Sequence, residues 1–212
     1  MTKQGNLKLW NAVCSTPPEH TKDVRYGKRK YTAVDPQWQM RVATSLWGPY
    51  GTDWGFRDLE YSIVDMEDQK IAILHATFYY PPSGSFPVVN EMQLRVGDEV
   101  FKKLVTNTRS KALSWLGFSA DVFMGKFEDT GYARSMAERF SGENSFVKRF
   151  VATIQTAKNL ERCDDAEAKI KQMLEDGQLT PLVARELSDL VVERRSILMS
   201  VIDMASSESD DG

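Results

Sequence analysis

Residues Asp98–Asp129 read DEVFKKLVTNTRSKALSWLGFSADVFMGKFED, and the choice of fold depends on how this stretch is folded. Phe101, Leu104, Val105, Thr108, Ala112 and Trp115 recur at the three- and four-residue intervals that share one face of a helix, with Leu116 beside them. Lys103, Asn107, Lys111 and Ser114 fall on a second stripe, flanked by Lys102 and Arg109, with Thr106 nearby. Asp98 and Glu99 complement the positive end of a helix dipole, and Gly117 can take the left-handed conformation that ends a helix. The spacing predicts one helix from near Asp98 to Gly117, with an apolar stripe for a core beside a basic, hydroxyl-bearing stripe.

The chain upstream supplies a surface for that apolar stripe. After Arg57 the period changes to two, with Leu59, Tyr61 and Ile63 alternating against Asp58, Glu60 and Ser62, the pattern of a half-buried strand. A turn at Glu67-Asp68-Gln69 leads into IAILHATFYY, apolar on both faces, and PPSG leads into FPVVNEMQLRV. Three strands joined by short turns make an antiparallel meander, against which the helix packs.

Further upstream, Asp35-Pro36 has the form of a helix start: an Asp cap, then proline where its missing N–H costs nothing. A helix from Pro36 to about Trp47 follows, with Trp38, Val42, Ala43, Leu46 and Trp47 on its apolar face and Gly48-Pro49 stopping it. Before it, HTKDVRYGKRKYTAVDP gathers Lys22, Arg25, Lys28, Arg29 and Lys30 around Tyr26 and Tyr31, the densest basic cluster in the chain, expected as a loop. Leu7, Leu9, Trp10 and Val13 form a short amphipathic pattern before Pro17-Pro18.

Downstream of Asp129 the pattern loosens through TGYARSMAERFSGEN and then becomes helical. Phe146, Phe150, Ile154 and Ala157 make one apolar face, and Ala166, Ile170 and Leu174 another. Beyond a turn at Asp176–Pro181, a last helix bears Leu182, Leu187, Leu190, Val191, Leu198 and Ile202. The end, SSESDDG, is too polar and acidic to bury anything and is expected to be disordered. The expected organisation is a core in residues 1–130, a helical region in 131–205 and an acidic tail in 206–212.

A chain of 212 residues, 42% hydrophobic and 27% charged, has the composition of a globular protein with one main core. Its net charge of -3 hides an asymmetry: residues 1–150 hold 20 Lys and Arg against 17 Asp and Glu, and residues 151–212 hold 7 against 13, a balance of +3 in front and -6 behind. Cys14 and Cys163 lie far apart without metal-ligand spacing, the start MTKQGNLKLW lacks a leader's apolar run, and no window has about 18 consecutive apolar residues. The expectation is a cytoplasmic protein with no membrane span.

Catalytic patterns are poorly represented. Gly27-Lys28 and Gly125-Lys126 lack the upstream glycine and following Ser or Thr of a phosphate-binding loop. Asp58, Glu60 and the run Asp68-Gln69-Lys70 imitate the carboxylates of a metal-dependent nuclease, although an Asp in a turn and a Lys at a strand edge are also ordinary. His75 is expected as a satisfied, half-buried strand residue, and His20 has no Ser or Cys partner. Basic residues interleaved with tyrosines supply phosphate contacts and stacking faces, the two ingredients of sequence-tolerant single-strand binding. A binding protein, not an enzyme, and no cofactor are the resulting expectations.

The order of these elements and their residues, GKRKYTAVDP, a helix closing in WGPYGTDWGF, three strands and VTNTRSKALSWLGF, resemble the annealing domain of the Rad-fifty-two superfamily. The phage-encoded branch, which includes Erf and Sak recombination proteins, is similar at HTK, YTAVDPQWQ, WGPYGTDWGF and GFSADVFMGKFED, and the likeness covers about residues 7–130. It implies a β-β-β-α annealing fold that assembles into rings or helical filaments and holds one DNA strand in a groove without nucleotide hydrolysis. By position, Ser110-Lys111 stands where the family's groove helix carries a basic pair and Ser114 where a further basic residue follows, so only Lys111 keeps a charge. Lys103 and Arg109 stand nearby.

The resulting expectation is ATP-independent binding and annealing of single-stranded DNA in phage homologous recombination, in the bacterial cytoplasm. The candidate DNA-binding residues are Arg25, Lys28, Arg29, Lys30 and Tyr31 on the entry segment and Lys102, Lys103, Arg109 and Lys111 on the helix. A homo-oligomer, a host single-strand-binding protein and a phage exonuclease are the candidate partners. A metal-dependent nuclease and a loading module acting through a host partner are the alternatives.

Overall fold

A computed structural model describes residues 6–67, 69–95 and 99–209. The protein is α+β and divides into two compact units, Met1–Ala133 and Arg134–Gly212. In the first, helix α1 (Lys8–Val13) and a 3-10 turn at Pro18–His20 precede strands β1 (Thr21–Tyr26) and β2 (Arg29–Val34). Helix α2 (Pro36–Trp47), strands β3 (Gly55–Met66), β4 (Gln69–Tyr80) and β5 (Gly84–Leu94), helix α3 (Val100–Trp115) and the short α4 (Ala120–Phe123) follow.

The expected meander is present: β3, β4 and β5 lie in that order and antiparallel, with Ile63 opposite Ala72 and Ala72 opposite Met92. Strand alternation sends Ala72, Leu74, Ala76 and Phe78 to one face, where each is buried. Val100 and Leu104 of α3 pack on Ala72, Leu74 and Ala76. Ala112 and Leu113, about two turns beyond Leu104 on the same helix, join Trp54, Phe78, Val88 and Phe118. Each such large apolar side chain contributes about 1.5–3 kcal/mol on full burial.

Local signals at the helix ends act as read. The Asp35 carboxylate accepts the Gln37 N–H at 2.9 Å, with Pro36 in the first turn of α2. Gly117 ends α3 at φ +99, where the Phe118 N–H reaches the Leu113 carbonyl at 3.1 Å. A Cβ there would lie 2.9 Å from the Cα of Trp10, so the bare glycine lets α1 close on the end of α3.

Several expectations are corrected. Leu59, Tyr61 and Ile63 are 42%, 47% and 52% exposed, not half-buried, because β3 is the sheet's edge and α3 lies over β4 and β5. A bulge between Arg57 and Glu60, with Asp58 at φ +55, shifts the alternation there. Phe101 and Trp115 of the expected apolar stripe are 42% and 52% exposed, while Arg109 and Leu113 are buried, because α2 and the residues after α3 cover a second side of the helix. Asp98 and Asp68, assigned to the helix start and a turn, lie outside the described residues. The basic entry segment is not a loop: β1 and β2 form a hairpin with Tyr26 opposite Arg29 and Gly27 turning at φ +59.

The second unit holds most of α5 (Thr130–Gln155), α6 (Leu160–Glu175) and α7 (Pro181–Ser209) around Ile154, Cys163, Ala166, Ile170, Leu187 and Val191. The stretch after Asp129, where the pattern loosens, is helical from Thr130, because the Asp129 carboxylate accepts the N–H groups of Gly131 and Tyr132 at 2.7 and 3.3 Å. Leu174 and Ile202 are exposed, and Met173 is buried one residue from Leu174. Ser206–Ser209, expected in a disordered tail, continue α7, since extending an established helix is far easier than starting one. No helix among the described residues is long and apolar enough to cross a membrane.

Candidate nucleic-acid interface

Five candidate residues share the β1–β2 hairpin, and register divides them. Arg25 stands opposite Lys30 and Val24 opposite Tyr31, so Arg25 and Lys30 occupy one face while Arg29 and Tyr31 share the other with Lys22. Lys28 sits at the turn. Lys30 pairs with Asp23 of its own face at 2.9 Å, which partly neutralises that side. Arg25, Lys28, Arg29 and Tyr31 are exposed.

The hairpin is tied to the rest of the first unit at its root and along one edge. At the root, the Asp35 N–H donates to the His20 carbonyl at 2.8 Å, and the His20 ring stacks on Trp38 with centroids 4.0 Å apart. Along the edge, the Thr32 N–H donates to the Glu128 carboxylate at 2.8 Å, beside the 3-10 turn Lys126–Glu128 that follows α4. The basic hairpin is thereby held to the segment running out of α3. The His20–Trp38 stack was not legible in the sequence, since the two residues lie on either side of the hairpin.

The four candidates on α3 do not form one surface. Lys102 is exposed and pairs with Glu99 at 3.0 Å, and Lys103 is exposed. Lys111 donates to the Val89 carbonyl of β5 at 3.0 Å and lies 5.7 Å from the Trp115 ring centroid. Arg109, two residues earlier and so about 200° round the helix, faces Tyr50 instead. Its guanidinium carbon lies 5.9 Å from the Tyr50 ring centroid and the residue is only 9% exposed. Arg109, expected to flank the stripe of Lys103, Asn107, Lys111 and Ser114, is therefore turned away from Lys111.

Burial holds Arg109 below its ordinary pKa, with Tyr50 acting the other way. The same burial raises the Tyr50 phenol, opposed by Arg109. Tyr50 belongs to the loop between α2 and β3, which is clamped by the Trp54 indole N–H on the Gly48 carbonyl at 3.0 Å and the Gly51 N–H on the Trp54 carbonyl at 2.7 Å. Gly48-Pro49 marked the start of this loop in the sequence; its proximity to Arg109 had no sequence signal.

The residues considered for metal-dependent cleavage are dispersed. Asp58 sits in the β3 bulge, Glu60 stands opposite His75, and Lys70 pairs with Asp65 at 3.2 Å across the β3–β4 turn. Among the described residues no three His, Cys, Asp or Glu are grouped as metal ligands would be. His75, expected to be half-buried, is exposed on the sheet face away from α3. The arrangement that remains is exposed guanidinium and ammonium groups with a half-exposed tyrosine on a small anchored hairpin, able to contact phosphates and to stack on bases. Compared with models of known protein families and with curated protein sequences, the chain matches none.

Proposed function

We propose that the chain binds single-stranded DNA and anneals complementary strands without nucleotide hydrolysis, as a homo-oligomer with the annealing fold of the Rad-fifty-two superfamily, in phage recombination in the bacterial cytoplasm. The observation that carries this reading is the β1–β2 hairpin. Its exposed Arg25, Lys28, Arg29 and Tyr31 stand beside the sheet-and-helix core to which Thr32 and Glu128 tie it. Such cations hold phosphates irrespective of sequence, and an aromatic face takes any base, as annealing of arbitrary strands requires.

The bare edge of the sheet supports assembly. β3 runs for 12 residues with Leu59, Tyr61, Ile63, Val64 and Met66 exposed, a long apolar edge of the kind that monomeric proteins avoid. A second copy covers it. Contacts with a host single-strand-binding protein and an exonuclease fall to the second unit, where a cavity of about 440 Å³ is lined by Phe150, Ala157 and Ala166 together with Lys158, Arg162 and Asp165.

Fluorescence anisotropy of a labelled thymidine oligonucleotide, titrated with protein at several salt concentrations, tests the DNA reading. Affinity that falls steeply with salt and depends on Arg29 supports it. Absence of binding at low salt contradicts it.

A further inference from the structure

Among the described residues, Arg109 is a buried cation with no carboxylate described beside it. Its described partner is Tyr50, its Nε has no hydrogen-bond partner, and 9% of the residue is exposed. A buried guanidinium without a counter-charge is costly, and such groups are ordinarily paired. A second pair of the same kind adjoins it. The Arg57 guanidinium lies 5.8 Å from the Tyr79 ring centroid. The two pairs meet at Gly55: a Cβ there would lie 3.3 Å from the Tyr79 hydroxyl and 3.4 Å from the Tyr50 ring. Any side chain at position 55 would press on both rings, and at φ +152 the backbone itself favours glycine.

Two arginine–tyrosine pairs therefore adjoin at the start of β3, their rings meeting at Gly55. Asp53 of the same loop lies against Gly48, where its Oδ2 would clash with an added Cβ. Tyr50 is 38% exposed and forms the solvent side of the cluster, and Arg57 is exposed. Positive charge, aromatic faces and hydroxyl donors, with no ion pair to a carboxylate described for either arginine among the described residues, suit a phosphodiester with its attached base, not a cation or an apolar ligand.

We propose that Arg109, Tyr50, Tyr79 and Arg57 form a second contact site for single-stranded DNA, separate from the hairpin, in which Arg109 takes a phosphate and Tyr50 or Tyr79 stacks on a base. This rests on the single-strand binding proposed above. The site adds Arg57, Tyr50 and Tyr79 to the DNA-contacting set and explains why an arginine whose described partner is a tyrosine is kept on the covered side of α3.

Salt-dependent anisotropy of a labelled thymidine oligonucleotide on the full chain, with Arg57→Gln, Arg109→Gln and Tyr50→Ala, tests it, alongside thermal melting without DNA. Each arginine variant is expected to lower the slope of log affinity against log salt by about 0.7, the value for one phosphate contact on a single strand. Tyr50→Ala is expected to weaken binding with the slope unchanged. Arg109→Gln is expected to melt no lower than the parent, because it removes an unpaired buried charge. Unchanged affinity and slope in both arginine variants, with the parent binding normally, overturns the second site and leaves the hairpin reading standing. A loss of binding in Arg109→Gln matched by a large fall in melting temperature, with Arg57→Gln unaffected, assigns the cluster a structural role and also overturns it. A parent protein that binds no oligonucleotide overturns both readings.

Discussion

Thr16 and Asp121 are joined by two hydrogen bonds, the Thr16 N–H donating to Oδ2 at 2.8 Å and the Thr16 hydroxyl to Oδ1 at 2.7 Å. Asp121 is 1% exposed and also accepts from the Val122 N–H at 2.9 Å and the Tyr132 hydroxyl at 3.0 Å. One buried carboxylate thus ties the segment leading to the β1–β2 hairpin to α4 and to the first turn of α5. Asp121→Ala takes the acceptor from the buried Thr16 N–H and hydroxyl and is expected to cost about 3 kcal/mol or more, read as a lower urea midpoint with an unchanged slope.

The approach of Trp10 to Gly117 gives a second stability test. Gly117→Ala places a methyl against the Trp10 backbone at a positive φ, two penalties at one position. The variant is expected to lose about 1–3 kcal/mol in chemical denaturation, whereas Gly142→Ala, where an added Cβ meets nothing within 4 Å, is expected to be neutral or slightly stabilising.

On the hairpin, register predicts unequal roles for neighbouring basic residues. Lys30 is already paired with Asp23, while no partner is described for Arg29, which shares its face with Tyr31. Arg29→Gln is expected to weaken oligonucleotide binding several-fold more than Lys30→Gln, and Tyr31→Ala to cost about 1–3 kcal/mol of binding if a base stacks there. Anisotropy on the three variants compares them directly.

Lys111 of α3 donates to the Val89 carbonyl at 3.0 Å. Lys111→Met is expected to change stability by no more than about 1 kcal/mol, since a strand-edge carbonyl can turn to water. It is expected to lower DNA affinity, and Lys111→Glu to lower it further while leaving the oligomer unchanged in sedimentation.

Assembly through β3 has its own test. Ile63→Lys puts a charge on the exposed apolar edge, a substitution natural edge strands use to prevent pairing. The expected result is a monomer in sedimentation with an unchanged melting temperature. An oligomer unaffected by this change places the interface elsewhere.

What could be read from the sequence was what local chemistry determines. The Asp35-Pro36 start and the Gly117 stop were legible because caps act within a few residues, and the meander because β4 carries apolar residues on both faces from Ile71 to Tyr80. The β1–β2 hairpin was missed because both its strands carry charged residues on both faces, which erases the period of two. The exposure of Leu59 and Ile63 was missed because alternation shows which face is apolar but not whether a helix covers it. Arg109 shows the same limit on α3: a helical wheel places it beside Lys102, whereas in the fold it is buried and faces Tyr50, fifty-nine residues earlier in the chain.

Strand annealing itself is the most direct test. Two complementary oligonucleotides carrying a fluorescent donor and acceptor are mixed with the full-length protein in EDTA without nucleotide, and duplex formation is followed by energy transfer. The expected result is an acceleration over the spontaneous rate that fades as salt rises, with both strands recovered at full length even when magnesium or manganese replaces EDTA. Duplex formation at the spontaneous rate, or shortened strands in the presence of the metal, would contradict an annealing protein.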